Sequence, residues 1–336
     1  MRSYTNAKKI GSIASVVVFL VLFFYAEPAK AFFFDENIGD SKALAYYTIG
    51  YTYDLMGMPE SAVPEYEKAV QFDEGSYLIH LRLGAGYARL GMLAKAQEQL
   101  LLVQQFNPKD LQSHYLLALI YSTQQQYEKA AVEYEHILNE FSKVEPQNIE
   151  IYGYLGQLYY SQKKYDKAIE QFEKILKIDT QNADVMYLLG SIYLDVQRKD
   201  EAIALFKNSI SIDPFHDGSL NTLGYLYAEN DIYLDEALLL VNRALAISPE
   251  NGAYLDSLGW VYFKMGKYDE ALSTLQKADK LLEDAVIYEH MGDVYYKMSK
   301  IDEAIKHWNL SLGLEPQQPK VIQKINEAKN IHQASM

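Results

Sequence analysis

The sequence predicts an all-α chain of about eight stacked helix pairs, followed by a C-terminal capping helix. Three observations predict it. A large aliphatic residue followed by a small one recurs with a period near 34 residues. A tyrosine and then an alanine follow it at near-fixed distances. Each of these spacings lines up side chains along one face of a helix.

The recurring pairs are Ile49-Gly50, Leu83-Gly84, Leu117-Ala118, Leu155-Gly156, Leu189-Gly190, Leu223-Gly224, Leu258-Gly259 and Met291-Gly292. Their small residues lie 34, 34, 38, 34, 34, 35 and 33 apart. Three residues after each stands a tyrosine: Tyr53, Tyr87, Tyr121, Tyr159, Tyr193, Tyr227, Tyr262 and Tyr295. The aliphatic, small and aromatic residues at i, i+1 and i+4 share one face of a first helix.

Twelve residues after the small position comes Ala62, Ala96, Ala130, Ala168, Ala202, Ala271 or Ala304. In the sixth repeat it is Ala237, one place late, after an insertion within 229–234. A large apolar residue follows four further on, from Tyr66 and Leu100 to Trp308, which makes the stripe of a second helix. Pro108, Pro214, Pro249 and Pro316 mark stops. Glycine inside a helix costs about 0.5–1 kcal/mol relative to alanine, so its recurrence calls for close backbone approach. The expected arrangement sets each glycine against the alanine of the second helix, with the tyrosine ring wedged against the neighbouring pair.

This pattern resembles the tetratricopeptide repeat family, whose period and order of aromatic, Leu-Gly, Tyr, Ala, large apolar and Pro residues it follows over 43–318. The resemblance implies a right-handed α-solenoid of repeats at 43–76, 77–110, 111–148, 149–182, 183–216, 217–251, 252–284 and 285–318. Departures are Ala118 in place of glycine, Pro64 inside a second helix, and four extra residues, Lys143 to Pro146. These four read either as an articulation or as a longer loop with unbroken stacking. In 319–336 a capping helix and tail are expected. There Val321, Ile325 and Ala328 form an apolar stripe, with Lys320, Lys324, Glu327 and Lys329 facing water.

Residues 1–31 read as a signal peptide. Arg2, Lys8 and Lys9 precede an uncharged, mostly apolar stretch from Ile10 to Tyr25, and Ala29-Lys30-Ala31 precedes Phe32. At 16 residues the stretch is short of the roughly 20 that span a hydrocarbon core. Phe32 to Phe34 prolong its apolar character, which keeps an uncleaved inner-membrane anchor as the alternative. The 32–42 segment leads into the repeats, and Phe32 to Phe34 are assigned to covering their first end. The expected location is periplasmic or otherwise extracytoplasmic, with membrane contact only if the N-terminal segment is uncleaved.

Cleavage leaves 27 basic and 44 acidic residues, a net charge of −17. Such a charge repels phosphate backbones, so nucleic acid is not an expected partner. With no cysteine, disulfides and thiolate chemistry are excluded. No P-loop, G-x-S-x-G, H-E-x-x-H or dinucleotide fingerprint occurs. The chain is therefore read as non-enzymatic, with no cofactor, no metal and no small-molecule substrate.

In the tetratricopeptide family the first helices line a concave groove that binds protein or peptide. That resemblance places Tyr47, Tyr51, Arg82, Arg89, Tyr115, Leu119, Tyr187, Asn221, Tyr225, Asp256, Trp260, Glu289 and Asp293 on the groove face. Most tyrosines are spent on packing. Tyr51, Tyr115, Tyr187, Tyr225 and Trp260 divide between packing and partner contact, and Trp260 is the expected anchor because of its large contact area. Asp256, Glu289, His290 and Asp293 read as a solvated acidic face recruiting basic partner residues, in preference to a metal site. His80 and His114 read as half-buried packing. The Lys/Asn set with which some members grip C-terminal carboxylates is absent. Three roles are compatible with these features: an envelope scaffold, a membrane-tethered assembly factor, and an accessory module for a separate enzyme.

Overall fold

The computed structural model describes residues 38–334. The expected signal segment and the Phe32 to Phe34 cap lie outside the described residues. Among the described residues there are seventeen α-helices and no strand. They fall into two compact units, 38–171 and 172–334. Each is a tandem array of helix pairs, the architecture of an α-solenoid.

The first unit contains α1 (Ser41–Leu55), α2 (Pro59–Val70), α3 (Tyr77–Arg89), α4 (Leu93–Phe106), α5 (Leu111–Thr123), α6 (Tyr127–Val144), α7 (Ile149–Ser161) and the first half of α8 (Tyr165–Ile178). The second unit takes the rest of α8. It continues with α9 (Ala183–Asp195), α10 (Lys199–Ile212), α11 (Asp217–Glu229), α12 (Leu234–Ile247), α13 (Gly252–Lys264), α14 (Tyr268–Leu281), α15 (Ala285–Lys297), α16 (Ile301–Leu314) and α17 (Pro319–Ala334). Odd-numbered helices up to α15 are the first members of pairs.

All first helices but α3 begin on side chains that accept from otherwise unpaired backbone N–H groups: Asp40, Asp110, Asn148, Asn182, Asn251 and Asp284, with the His216 ring doing the same for α11. The turn from first to second helix contains a left-handed residue seven places after the small position. It is Gly57, Gly91 and Gly266 in three repeats, but Gln125, Lys163, Gln197, Asp231 and Ser299 in the other five. In the sixth repeat Tyr233 is left-handed as well, which absorbs the inserted residue before α12.

Within each pair the alanines and the large residues after them are buried, with Ala62, Ala96, Ala202, Ala237, Ala271 and Ala304 wholly so. The glycine's neighbour differs from the expected alanine side chain. A methyl on Gly84 would stand 2.8 Å from Leu100 Cγ and 3.4 Å from the Ala96 carbonyl. One on Gly190 would stand 2.8 Å from the Phe206 ring. The glycine thus clears the large residue one turn beyond the alanine, together with the alanine's backbone oxygen.

The tyrosines wedge against the preceding pair, and they also make a polar contact that the pattern did not announce. Tyr87 donates to Glu67, Tyr159 to Glu135 at 2.9 Å and Tyr193 to Glu173 at 3.2 Å. Each acceptor lies on the preceding second helix. Burial and the Glu135 carboxylate push the Tyr159 phenol up to about 12.

The four extra residues do not make a longer loop. Helix α6 has 18 residues where α4 has 14, and the connections that follow each are of equal length. Four residues are close to one 3.6-residue turn, so the stripe stays in phase. Pro64 lies inside α2. At the C-terminus Val321, Ile325 and Ala328 bury against Ala304 and Trp308, while Lys320, Glu327 and Lys329 are exposed. Lys324 departs from the expected solvent-facing set and is held among carboxylates of α15.

Candidate partner-binding faces

In the first unit the expected positions lie on α1, α3 and α5. Tyr47 and Tyr51 are half-buried, with ring centroids 6.3 Å apart and planes within 2° of parallel. Tyr66 lies against Tyr47 at 5.8 Å, wholly buried, and donates to Asp54 Oδ2 at 2.8 Å. The other Asp54 oxygen accepts from Arg89, which is exposed at the surface. Arg82 is half-buried over the Tyr51 ring, 5.1 Å from its centroid, and hydrogen-bonds the Tyr47 hydroxyl. Tyr115 is buried in the core, and Leu119 remains half-buried.

The histidines do more than pack. His80 Nε2 meets the Glu74 carbonyl at 2.9 Å and His114 Nε2 meets the Pro108 carbonyl at 3.1 Å. Tyr152, at the matching place, donates to the Pro146 carbonyl at 2.9 Å. Each thereby pins the loop leading into its own helix. His114 also engages Glu133 at 2.6 Å and stacks on His136 at 3.8 Å. Burial opposes charge on His114, but the Glu133 bond prevails and raises its pKa. Burial and the adjacent His114 lower that of His136.

In the second unit the expected acidic face is an internally paired network. Asp256 is buried and meets the buried His290 at 2.8 Å. Lys324 donates to Glu289 at 2.7 Å and to Asp293 at 2.6 and 2.7 Å, and the Trp308 indole N–H donates to Asp293 at 3.0 Å. The cation among these carboxylates is the Lys324 ammonium. Desolvation works against a charged His290, yet Asp256, with Asp293 and Glu289 beyond it, raises its pKa. Burial raises that of Asp293, opposed by Lys324.

Trp260, the expected anchor, is only 8% exposed. Its ring stacks on His290 at 4.1 Å and on Phe263 at 4.8 Å, and its N–H donates to Glu229 at 2.9 Å. Its contact area is already consumed by neighbouring repeats. Asn221 is also buried, and its Oδ1 has no hydrogen-bond partner among the described residues. Tyr187 and Tyr225 stay half-open. Tyr187 packs on Phe206 and His216, and the Tyr225 phenol is pushed upward by burial and by Glu229, Asp256 and Glu289.

Tandem helix pairs whose first helices follow one another in a row define a helical-repeat scaffold of the kind that binds other proteins. Tetratricopeptide repeat models match residues 43–75, 109–181 and 160–220, and a model of anaphase-promoting complex, cyclosome, subunit 3 matches 230–309. The chain belongs to the tetratricopeptide repeat family.

Among solved structures, the Cut9–Hcn1 hetero-tetramer of the APC/C is similar over 80% of this chain, at 18% identity and a TM-score of 0.54. The match covers 52% of that chain, so this protein spans about half its length. A thermophilic tetratricopeptide protein of Thermus thermophilus is 24% identical over 52% of this chain and 95% of its own, with a TM-score of 0.45. A tetratricopeptide repeat protein of Parabacteroides merdae matches 86% of this chain and all of its own, at 14% identity and a TM-score of 0.43. No curated protein matches the sequence.

Proposed function

We propose that this chain is a non-enzymatic scaffold of the bacterial cell envelope that holds polypeptide partners along the faces of its first helices. The observation that carries the reading is the set of large side chains left half-open there, Tyr51, Leu119, Tyr187 and Tyr225, whereas Trp260, Tyr115 and Asn221 at matching positions are buried. Aromatic side chains offer large contact area at small entropic cost, which suits them to partner contact. The basic, apolar and small-residue order of 1–31 supports an extracytoplasmic setting.

A photo-crosslinking amino acid placed at Tyr51, Leu119, Tyr187 or Tyr225 is expected to capture a common set of proteins. The exposed second-helix positions Val132 and Leu239 are expected not to capture it. Equal capture from both sets would refute the groove. Fractionation and an N-terminal mass test the setting. A soluble chain beginning at Phe32 fits export and cleavage, and a membrane-bound chain retaining residues 1–31 means an anchor.

A further inference from the structure

Arg82 carries a charge that the fold leaves uncompensated. The side chain is half-buried on α3, and its Nε is buried without a hydrogen-bond partner. It forms no ion pair among the described residues. Its polar neighbours are neutral phenols: Tyr47, which it hydrogen-bonds, Tyr51 beneath it, and Tyr66. The nearby carboxylate, Asp54, is divided between Tyr66 and Arg89. Phenol oxygens and ring faces solvate a guanidinium in part, but a cation withdrawn from water is ordinarily matched by an anion.

The surroundings leave room for one. Ala85, one turn beyond Arg82 on the same face, is small and half-buried, so the helix surface is low there. Arg89 follows on that face two turns from Arg82, about 10 Å along the axis, with its charge paired to Asp54. Leu119 on the neighbouring α5 is apolar and half-buried. A planar guanidinium is suited to a carboxylate, which can accept two parallel bonds.

We propose that Arg82, boxed by Tyr47 and Tyr51, receives the side-chain carboxylate of an aspartate or glutamate within a partner polypeptide. The assignment rests on the groove reading above and specifies the chemistry of its first-unit portion. It differs from the acidic second-unit network, where Lys324 already fills the corresponding need from within the chain.

The test uses the purified full chain and an array of random peptides of about 12 residues, acetylated and amidated so that only side chains offer carboxylates. Bound peptides are expected to share an Asp or Glu. Replacing it by Asn or Gln is expected to weaken binding at least about 10-fold, as loss of a charge-assisted hydrogen bond does. Arg82→Met is expected to weaken the acidic peptide equally, and the two changes together are expected to add little. The melting temperature of Arg82→Met is expected to hold or rise, because an unpaired cation has been removed. A fall with unchanged binding would assign Arg82 to packing alone and overturn the site.

The outcomes separate the two readings. Peptides that bind whatever their charge, bind Arg82→Met as well as the parent, and lose affinity on Leu119→Asp would keep the groove and reject the carboxylate site. Binding only by peptides with a free C-terminus would reject the side-chain assignment. An array with no bound peptide would reject the groove, and the site with it.

Discussion

The glycine of the recurring pair offers the sharpest test of how these repeats hold together. A methyl added at Gly224 would lie 2.7 Å from Val241 Cγ2 and 3.0 Å from the Ala237 carbonyl. Valine has little freedom to swing away in a helix, and a backbone oxygen has none, so α11 and α12 must move apart. Overpacking of this kind costs about 1–3 kcal/mol, against about 0.5–1 kcal/mol gained from alanine's helix preference. Gly224→Ala is therefore expected to destabilise the pair by about 1–2 kcal/mol.

Gly313 is the internal control. It lies inside α16 with no atom within 4 Å of the added methyl, so Gly313→Ala is expected to stabilise by about 0.5–1 kcal/mol. Repeat arrays unfold in parts, which makes local hydrogen exchange a better readout than a single global transition. Exchange across α11 and α12 is expected to quicken about 5- to 30-fold in Gly224→Ala, and exchange across α16 to slow in Gly313→Ala. If both substitutions slow exchange, close approach is not the reason for the glycine, and the packing argument fails.

Three further outcomes follow from the same geometry. Lys324→Met leaves Glu289 and Asp293 without their cation and is expected to loosen α17 by about 1–3 kcal/mol, seen as faster exchange over 319–334. Gln197→Gly relieves a left-handed residue with a side chain and is expected to raise the stability of α9 and α10 by about 0.5–1 kcal/mol in chemical denaturation. His290 is held above the ordinary imidazole range, so its contribution is complete below about pH 6.5 and fades as pH rises through the folded value. Exchange over α13 and α15 is expected to quicken between pH 6 and 9 beyond the intrinsic base catalysis. His290→Gln is expected to abolish that excess, and an unchanged excess would place its origin elsewhere.

Fold class was legible because the period is written in residue types that only helix packing requires. Leu83-Gly84-Tyr87 with Ala96 and Leu100 describes two facing stripes without any coordinates. The site was less legible. Trp260 and Asp256 occupy positions that face the groove by helical phase, yet a ring from α15 closes over both. Helical phase gives the direction of a side chain, and burial depends on what the next repeat brings to meet it. The sequence does carry one polar signal of its own. A polar residue stands fifteen places after the small position in repeats that carry His80 and His114, and it is Gln99 and Glu133 that those rings contact.

By itself the sequence determined the helix pairs, their tandem order and the helix faces they bury, because each depends on residues within one repeat, at separations of a turn or two along each helix. Tertiary structure decided three matters, two of which involve residues more than 30 apart in the chain. It spent the extra residues of 143–146 on a longer α6 and its exit, closed the acidic cluster with Lys324, and left Arg82 among phenols without an acid. Charge pairing between neighbouring repeats follows from which side chains meet across the interface, and that meeting has no period in the sequence to announce it.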